Sequence, residues 1–368
     1  MRRFDVAIIG GGPAGTSLAL SLRQRSLSVL VVERSNYQQW RSGESLSPEA
    51  RIPLSKLGVL DSLVDVPHLT SQAIRSAWGS SELTEKHFVF NPYGSGWHLD
   101  RSKFDGALAA AAETCGATVL RGVSYISALH SNLWQITLKN GLSMLEVEAR
   151  FIVDATGRAA QVAKSLGSKL IFYDNLIALI GVASPSSLDS PVEPVLTVEA
   201  GEDGWWYSTS LPDGSTLAAL MTDNDIFLHS RETPTAFWLS KLKRTEHLSP
   251  LIGKRRLTDD VRIRNASTCR LDRVAGPDWI AVGDAACAFD PLAGNGILKA
   301  LQSGIDLSNA ILSHDSTEKD ILQTYAGKIV DMFNEYVKER HRYYQREQRW
   351  PQSSFWVRRQ LPYSINLA

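Results

Sequence analysis

The sequence predicts an α/β protein in which a Rossmann-like nucleotide-binding domain is interrupted by an inserted mixed β-sheet domain. Three stretches carry that expectation. Residues 5–33 read strand, glycine turn, helix and strand, residues 278–304 read strand, loop and helix, and the region from Leu170 to Ile263 is β-rich with turn residues between its runs. A chain of 368 residues is also too long for one minimal core and suits two interleaved domains.

The first unit begins with the β-rich run Asp5 to Ile9, followed by Gly10-Gly11-Gly12-Pro13-Ala14-Gly15 and by TSLALSLRQRS, whose apolar spacing suits a helix. Gly10, Gly12 and Gly15 fill G-x-G-x-x-G, a spacing that permits a tight turn, backbone approach to a pyrophosphate and close packing of helix on strand. Pro13 and Ala14 open the helix, whose N-terminus faces negative charge. The next run, LSVLVVE, reads as a buried parallel strand ending in Glu33, placed to accept hydrogen bonds from an adenosine ribose, with Arg34 beside it. A glycine turn in an empty α/β domain and a solvated strand end are the competing readings. Strand, helix and terminal acid at the proper spacing favour a dinucleotide.

Ten residues later stands Gly43-Glu44-Ser45-Leu46-Ser47-Pro48. Taken alone it is an ordinary turn and helix start, with Pro48 at a first helical position. The second unit, DWIAVGDAACAFDPLAGNGILKALQSG, delivers Asp284 at a strand end and leads through a glycine-containing loop to a helix starting near Gly296. A carboxylate at that place binds a ribityl chain, and a helix N-terminus stabilises a flavin ring carrying negative charge. The cofactor implied is FAD.

Composition narrows the remaining classes. Lys+Arg and Asp+Glu both number 39, so no global field favours nucleic acid or an anionic membrane. The cysteines Cys115, Cys269 and Cys287 are odd in number and lack metal-ligand spacing, which fits a reducing compartment better than a disulfide framework and argues against a zinc site. No run is long enough to span a bilayer, and the expectation is a soluble cytoplasmic protein without stable membrane association.

The Gly10–Gly15 motif, HLDRSKFDGAL (His98 to Leu108), FIVDATGR (Phe151 to Arg158) and GDAACAFDPLAGNGI together resemble the FAD-dependent monooxygenases of the aromatic-hydroxylase, glutathione reductase-like fold. The resemblance implies that Arg101 contacts FAD, that Asp284 binds its ribityl or pyrophosphate part, and that Pro291, Gly294, Asn295, Gly296 and Ile297 line the isoalloxazine. Read from spacing alone, Arg101 is instead an i,i+4 ion-pair partner of Asp105. Asp154-Ala155-Thr156-Gly157 replaces the Asp-Gly form of the simple hydroxylases. It is similar to the branch of tryptophan halogenases, geranylgeranyl reductases and flavoproteins that mature quinone-containing oxidases, and it implies an external electron donor or transient nicotinamide binding. In that branch Gly43, Glu44 and Ser45 belong to the wall over the isoalloxazine.

Within the branch, halogenation needs a lysine where Gln72 to Ser81 offers Arg75, and a guanidinium cannot play the amine's role. Trp205, Trp206 and Tyr207, with Trp78 and Trp97, form a candidate aromatic cover that suits an indole better than a prenyl chain. QREQRWPQSSFWVRR near the C-terminus resembles the LodB/GoxB-type flavoproteins that help form cysteine tryptophylquinone. The resemblance implies an FAD-dependent monooxygenase hydroxylating a peptidyl tryptophan in the precursor of a partner amino-acid oxidase. A small-molecule hydroxylase, a halogenase-like or prenyl-reducing enzyme, and a noncatalytic flavin-binding chaperone are the alternatives.

No acid or base is assigned; Glu44, Trp205 and Trp206 are the catalytic candidates, and His68, His87 and His98 read as structural. Cys287 reads as a small buried packer. The expected domains are FAD-binding (1–70, 100–169 and 265–325), substrate (71–99 and 170–264) and a C-terminal helical segment (326–368) that packs its aromatics inward while its arginines stay solvated.

Overall fold

A computed structural model describes residues 1–64, 66–185, 193–253, 255–312 and 318–361; the expected domain spans also include 65, 186–192, 254, 313–317 and 362–368, which lie outside the described residues. The nucleotide-binding half rests on parallel strands in the order Trp279–Ala281, Ser143–Asp154, Arg2–Ile9, Val29–Glu33 and Thr118–Arg121. Helix Pro13–Arg23 makes the first crossover, and Val29–Glu33 is buried at every position because both faces of the sheet are covered. Helix Gly296–Leu312 crosses Pro13–Arg23 so closely that a Cβ on Gly304 would stand 2.0 Å from Ser17 Oγ and 2.6 Å from the Ala14 carbonyl. Only glycine fits there.

The second sheet has seven strands in the order Arg262–Asn265, Leu176–Ala183, Thr216–Asp223, Gly204–Ser210, Val195–Gly201, Ala73–Ala77 and Thr84–His87. It is mixed, because Val195–Gly201 runs parallel to Ala73–Ala77 while its other pairs are antiparallel. Alternation along Gly204–Ser210 sends Trp205 and Tyr207 to one apolar cluster and Trp206 to another on the opposite face. Three helices, Asn224–Ser230, Pro234–Leu242 and Leu248–Ile252, lie in the stretch that reads as β-rich from sequence. The stop signal is local: Thr233 caps the middle helix through Ala236 N–H (3.3 Å), with Pro234 at its first position.

A short three-stranded sheet holds the GESLSP segment, pairing Ser45 with His98 and Leu46 with Trp97. Helices Glu318–Gln345 and Ser354–Gln360 close the molecule, burying Tyr344, Phe355 and Trp356 against Trp205 and the inner sheet face. The expectation of solvated arginines is corrected at two positions. Arg340 pairs with Asp174 (2.8 Å) and Asp290 (3.2 Å), and Arg359 with Asp223 (2.6 Å), all with nearly buried side chains. A buried guanidinium is tolerated only when carboxylates and hydrogen bonds replace its water.

Candidate active site

The glycine turn is shaped by close approach at two positions and open at a third. Gly10 has φ +114°, and a Cβ there would lie 2.1 Å from the Ala155 carbonyl; one on Gly15 would lie 2.0 Å from the Gly10 carbonyl. A Cβ on Gly12 would meet nothing within 4 Å. Gly12 is also the N-cap of the Pro13–Arg23 helix and makes no side-chain cap, so the helix presents its first N–H groups beside open space, the arrangement that takes a pyrophosphate. Pro13 and Ala14 are buried in its first turn.

Glu33 is buried at the end of its strand, where it accepts from Gly11 N–H (2.9 Å), the Ser35 hydroxyl (2.7 Å) and Arg41 (2.7 Å). Burial raises its pKa, but Arg41 and these donors outweigh burial and hold the carboxyl below its usual range. Arg34 is exposed. Arg41 continues to Asp105 (3.0 Å), and Asp105 accepts from Arg101 Nε (3.1 Å) and Nη2 (3.0 Å). Arg101 Nη1 then donates to the carbonyls of Ser42 (2.8 Å) and Gly43 (3.1 Å). The i,i+4 ion pair is thus present, and the same guanidinium also clamps the GESLSP segment. Gly43 has φ +97°, and a Cβ on it would stand 2.8 Å from Arg101 Nη1.

That clamp turns Glu44 inward. Its carbonyl accepts from Leu99 N–H (2.7 Å), its side chain is 2% exposed, Oε2 accepts from Tyr207 Oη (3.4 Å), and Oε1 is buried with no hydrogen-bond partner. Burial pushes the Glu44 carboxyl up to about 7, against the opposing pull of its own backbone N–H, of Arg101, of the Gly43 N–H and of Tyr207. Ser45 continues into the strand beside His98, whose Nδ1 lies 2.8 Å from Thr209 Oγ1. Burial lowers the His98 imidazole to about 4, so it is neutral near pH 7. His68 lies between Trp97 and Phe104 and is likewise pushed down to about 4 by burial, whereas His87 is exposed.

The second strand-loop-helix unit holds the remaining candidate residues. Asp284 accepts from Lys299 Nζ (2.7 Å) and lies 3.8 Å from Arg158 Nε; burial opposes ionisation, but the two cations hold the carboxyl below its usual range. Asp290 Oδ1 accepts from Leu292 N–H (2.8 Å) and caps the short Pro291–Ala293 turn. Gly294 follows at φ +62°, Asn295 is exposed and Ile297 is buried. A Cβ on Gly294 or Gly296 would meet nothing within 4 Å, as at Gly12. The three open glycines, two helix starts and two engaged carboxylates are a donor set and cradle that fit FAD.

Trp205 and Trp206 lie elsewhere than the candidate role requires. Trp205 donates to Tyr344 Oη (2.9 Å) and packs edge-on with Trp78, and Trp206 packs on Trp238 across the outer face. Both are core side chains, 1% and 2% exposed. Tyr207, which follows them in sequence, takes the same face as Trp205 and packs in one cluster with Trp40 and with Leu292 of the Pro291–Ala293 turn. Trp78 joins that cluster from the C-terminal side, while Trp97 lies under Arg51 (4.2 Å). Sequence reasoning missed Arg41, Lys299 and Asp290. Only Asp290 carried a local signal, an Asp immediately before Pro at the start of a helical turn.

Among the described residues no group of three or more His, Cys, Asp or Glu side chains could hold a metal ion, and no helix is long and apolar enough to cross a membrane. Cys287 is buried, and its carbonyl accepts from Lys299 (2.6 Å).

Comparison with known proteins agrees with this architecture. Residues 61–366 match the tryptophan halogenase family, and residues 5–87 match the FAD-dependent oxidoreductase family. The chain is 30% identical to the FAD-dependent oxidoreductase LodB of Marinomonas mediterranea, over 98% of this chain and 97% of the relative. Among solved structures, the myxobacterial chondrochloren halogenase CndH superposes with a TM-score of 0.90 at 23% identity, covering 99% of this chain and 87% of that one. The peptidyl tryptophan dihydroxylase QhpG, essential for tryptophylquinone cofactor biogenesis, superposes at 0.80 and 24% identity, covering 100% and 81%. These likenesses bear out the aromatic-hydroxylase type of fold, the resemblance to LodB and FAD as the cofactor. The chain is an FAD-dependent oxidoreductase and belongs to the tryptophan halogenase family.

Proposed function

We propose that this protein hydroxylates a tryptophan side chain within the precursor of a partner amino-acid oxidase, during biogenesis of a cysteine tryptophylquinone. The observation that carries the reading is the end-to-end relation to LodB at 30% identity, joined to the shared fold of QhpG, whose own activity is peptidyl tryptophan dihydroxylation. Halogenation is disfavoured because Arg75 stands in the stretch where a lysine is needed, and its guanidinium is held by Glu85 and Glu193 at 2.5 Å each.

When bound, reduced FAD supplies the activation of dioxygen. The chain's own residues supply binding, orientation and dryness. Gly10, Gly12, Pro13, Ala14 and Gly15 receive the pyrophosphate, Glu33 and Arg34 flank the ribose, and Asp284 takes the ribityl chain. Gly43, Glu44, Ser45 and Arg101 form one wall over the ring, and Pro291, Gly294, Asn295, Gly296 and Ile297 the other. The N–H groups at the start of the Gly296–Leu312 helix lend positive potential to a ring that carries negative charge. The apolar inner sheet face around Tyr207 excludes water from the reacting ring.

Electrons come from an external donor or from a nicotinamide that binds transiently, as the Asp154-Ala155-Thr156-Gly157 form implies. The free cysteines, with Cys115 exposed, fit action in the cytoplasm. The test is mass spectrometry of a quinone-oxidase precursor coexpressed with this protein or with its Asp284→Ala variant. Oxygen gained on one tryptophan only beside the intact protein supports the reading; an unmodified precursor beside FAD-loaded protein refutes it.

A further inference from the structure

Glu44 has a feature that the fold leaves unexplained. Its side chain is 2% exposed, one oxygen is engaged by Tyr207, and the other is buried with no partner. A carboxylate oxygen in that state loses its hydration without replacement, and such groups in folded proteins are usually completed by a donor. The surroundings restrict what that donor is. Tyr207 stands in a cross-sheet row with Ile180, Ala219 and Val198, and its cluster includes Trp40 and Leu292, so the neighbourhood is aromatic and aliphatic. The charged group on the other side, Arg101, has its donors committed to Asp105 and to the Ser42 and Gly43 carbonyls. His98, on the neighbouring strand, turns its Nδ1 to Thr209, and its Nε2 is buried with no hydrogen-bond partner. A buried, unpartnered carboxylate oxygen beside aromatic and aliphatic side chains fits a flat aromatic ring bearing an N–H donor.

We propose that Glu44 Oε1 accepts the ring N–H of the substrate indole, with Tyr207 holding Oε2 and thereby the carboxylate's orientation. This rests on the tryptophan-hydroxylating function proposed above and deepens it by naming the group that selects an indole over other aromatic rings. A site built to accept one N–H discriminates strongly against a ring of the same shape without it, because its own oxygen is then left unpaired. An N–H held against a carboxylate also enriches the electron density of the pyrrole carbons, which favours their attack on an electrophilic oxygen.

The flavin's own ring N–H is the other source of the same chemistry, and the experiment separates the two. Calorimetry on FAD-loaded wild-type protein compares 3-methylindole with 3-methylbenzofuran, which keeps the ring's shape and replaces N–H by oxygen. At pH 8, where the carboxylate form predominates, the wild type prefers 3-methylindole by roughly tenfold or more, as expected for one hydrogen bond to a charged acceptor. Measured at saturating FAD, Glu44→Leu abolishes the preference and Glu44→Gln retains part of it through its amide oxygen. Equal binding of the two probes by the wild type, or no binding of 3-methylindole, overturns the proposal without relying on any variant folding. So does a Glu44→Leu protein that loses FAD affinity about tenfold while keeping the indole preference, an outcome that assigns the acceptor to the flavin ring. A precursor tryptophan that is hydroxylated despite absent discrimination removes only this inference; an unmodified precursor removes the proposed function with it.

Discussion

Replacing Glu44 by Gln removes a titrating group whose environment works against its charge. Burial raises the carboxyl from 4.5 to about 7, with its own backbone N–H, Arg101, the Gly43 N–H and Tyr207 opposing the rise. The folded protein therefore binds this proton more tightly than the unfolded chain, so the group's stabilising protonation is complete below about pH 4.5 and is lost as pH rises through about 7. A shift of that size corresponds to about 3 kcal/mol at 1.36 kcal/mol per unit, of which about 2.5 kcal/mol falls between pH 5 and pH 8. Gln has nearly the same shape and does not titrate. Urea unfolding at saturating FAD, run on both proteins at pH 5 and pH 8, should show Glu44→Gln gaining about 2.5 kcal/mol relative to wild type over that interval. The buried His98 and half-buried His68 titrate in both proteins and cancel in the difference. A difference that stays flat with pH, or that moves in favour of wild type as pH rises, would refute the account of Glu44 as a carboxyl raised by desolvation.

Two further outcomes follow from the cradle and its support. Gly12→Ala should leave the thermal stability of the FAD-free protein within about 0.5 kcal/mol of wild type, since the added Cβ meets nothing, yet raise the FAD dissociation constant about tenfold or more; Gly15→Ala should instead lower stability, because its Cβ falls 2.0 Å from the Gly10 carbonyl. Tyr344→Phe should destabilise by about 2–3 kcal/mol, read from urea midpoints, because the hydroxyl both accepts from Trp205 and donates to buried Asp290 (2.6 Å). It should also weaken FAD binding through the Asp290 cap on the Pro291–Ala293 turn, as flavin fluorescence would report.

Local physics made the cofactor half legible in the sequence. Gly10, Gly15 and Pro13 announce a turn and helix start whose geometry depends on neighbours a few residues away, and Val29 to Glu33 announces a strand buried on both faces. The Ser47–Pro48 helix start in GESLSP was equally plain. What stayed hidden depends on chain segments far apart. Tyr207 reaches Glu44 across 163 residues, Tyr344 reaches Asp290 across 54, and Arg41 reaches Asp105 across 64, and no local spacing encodes those meetings. Trp205 and Trp206 show the same limit from the other side. An aromatic pair on a strand must send its rings to opposite faces, but which face meets the cofactor is decided by helices at the far end of the chain. The buried Arg340 and Arg359 were misread because a basic segment looks solvated until its carboxylate partners are located.

The central claim is that this protein transfers oxygen from dioxygen to one tryptophan of a precursor polypeptide. It is tested most directly by incubating purified FAD-loaded protein, a chemical reductant for the flavin and an unmodified quinone-oxidase precursor under oxygen-18 gas, then sequencing the precursor by mass spectrometry. Oxygen-18 on a single tryptophan, absent when the protein or the reductant is withheld, is the result the account predicts. A precursor without label, or label that enters only from oxygen-18 water, would contradict it.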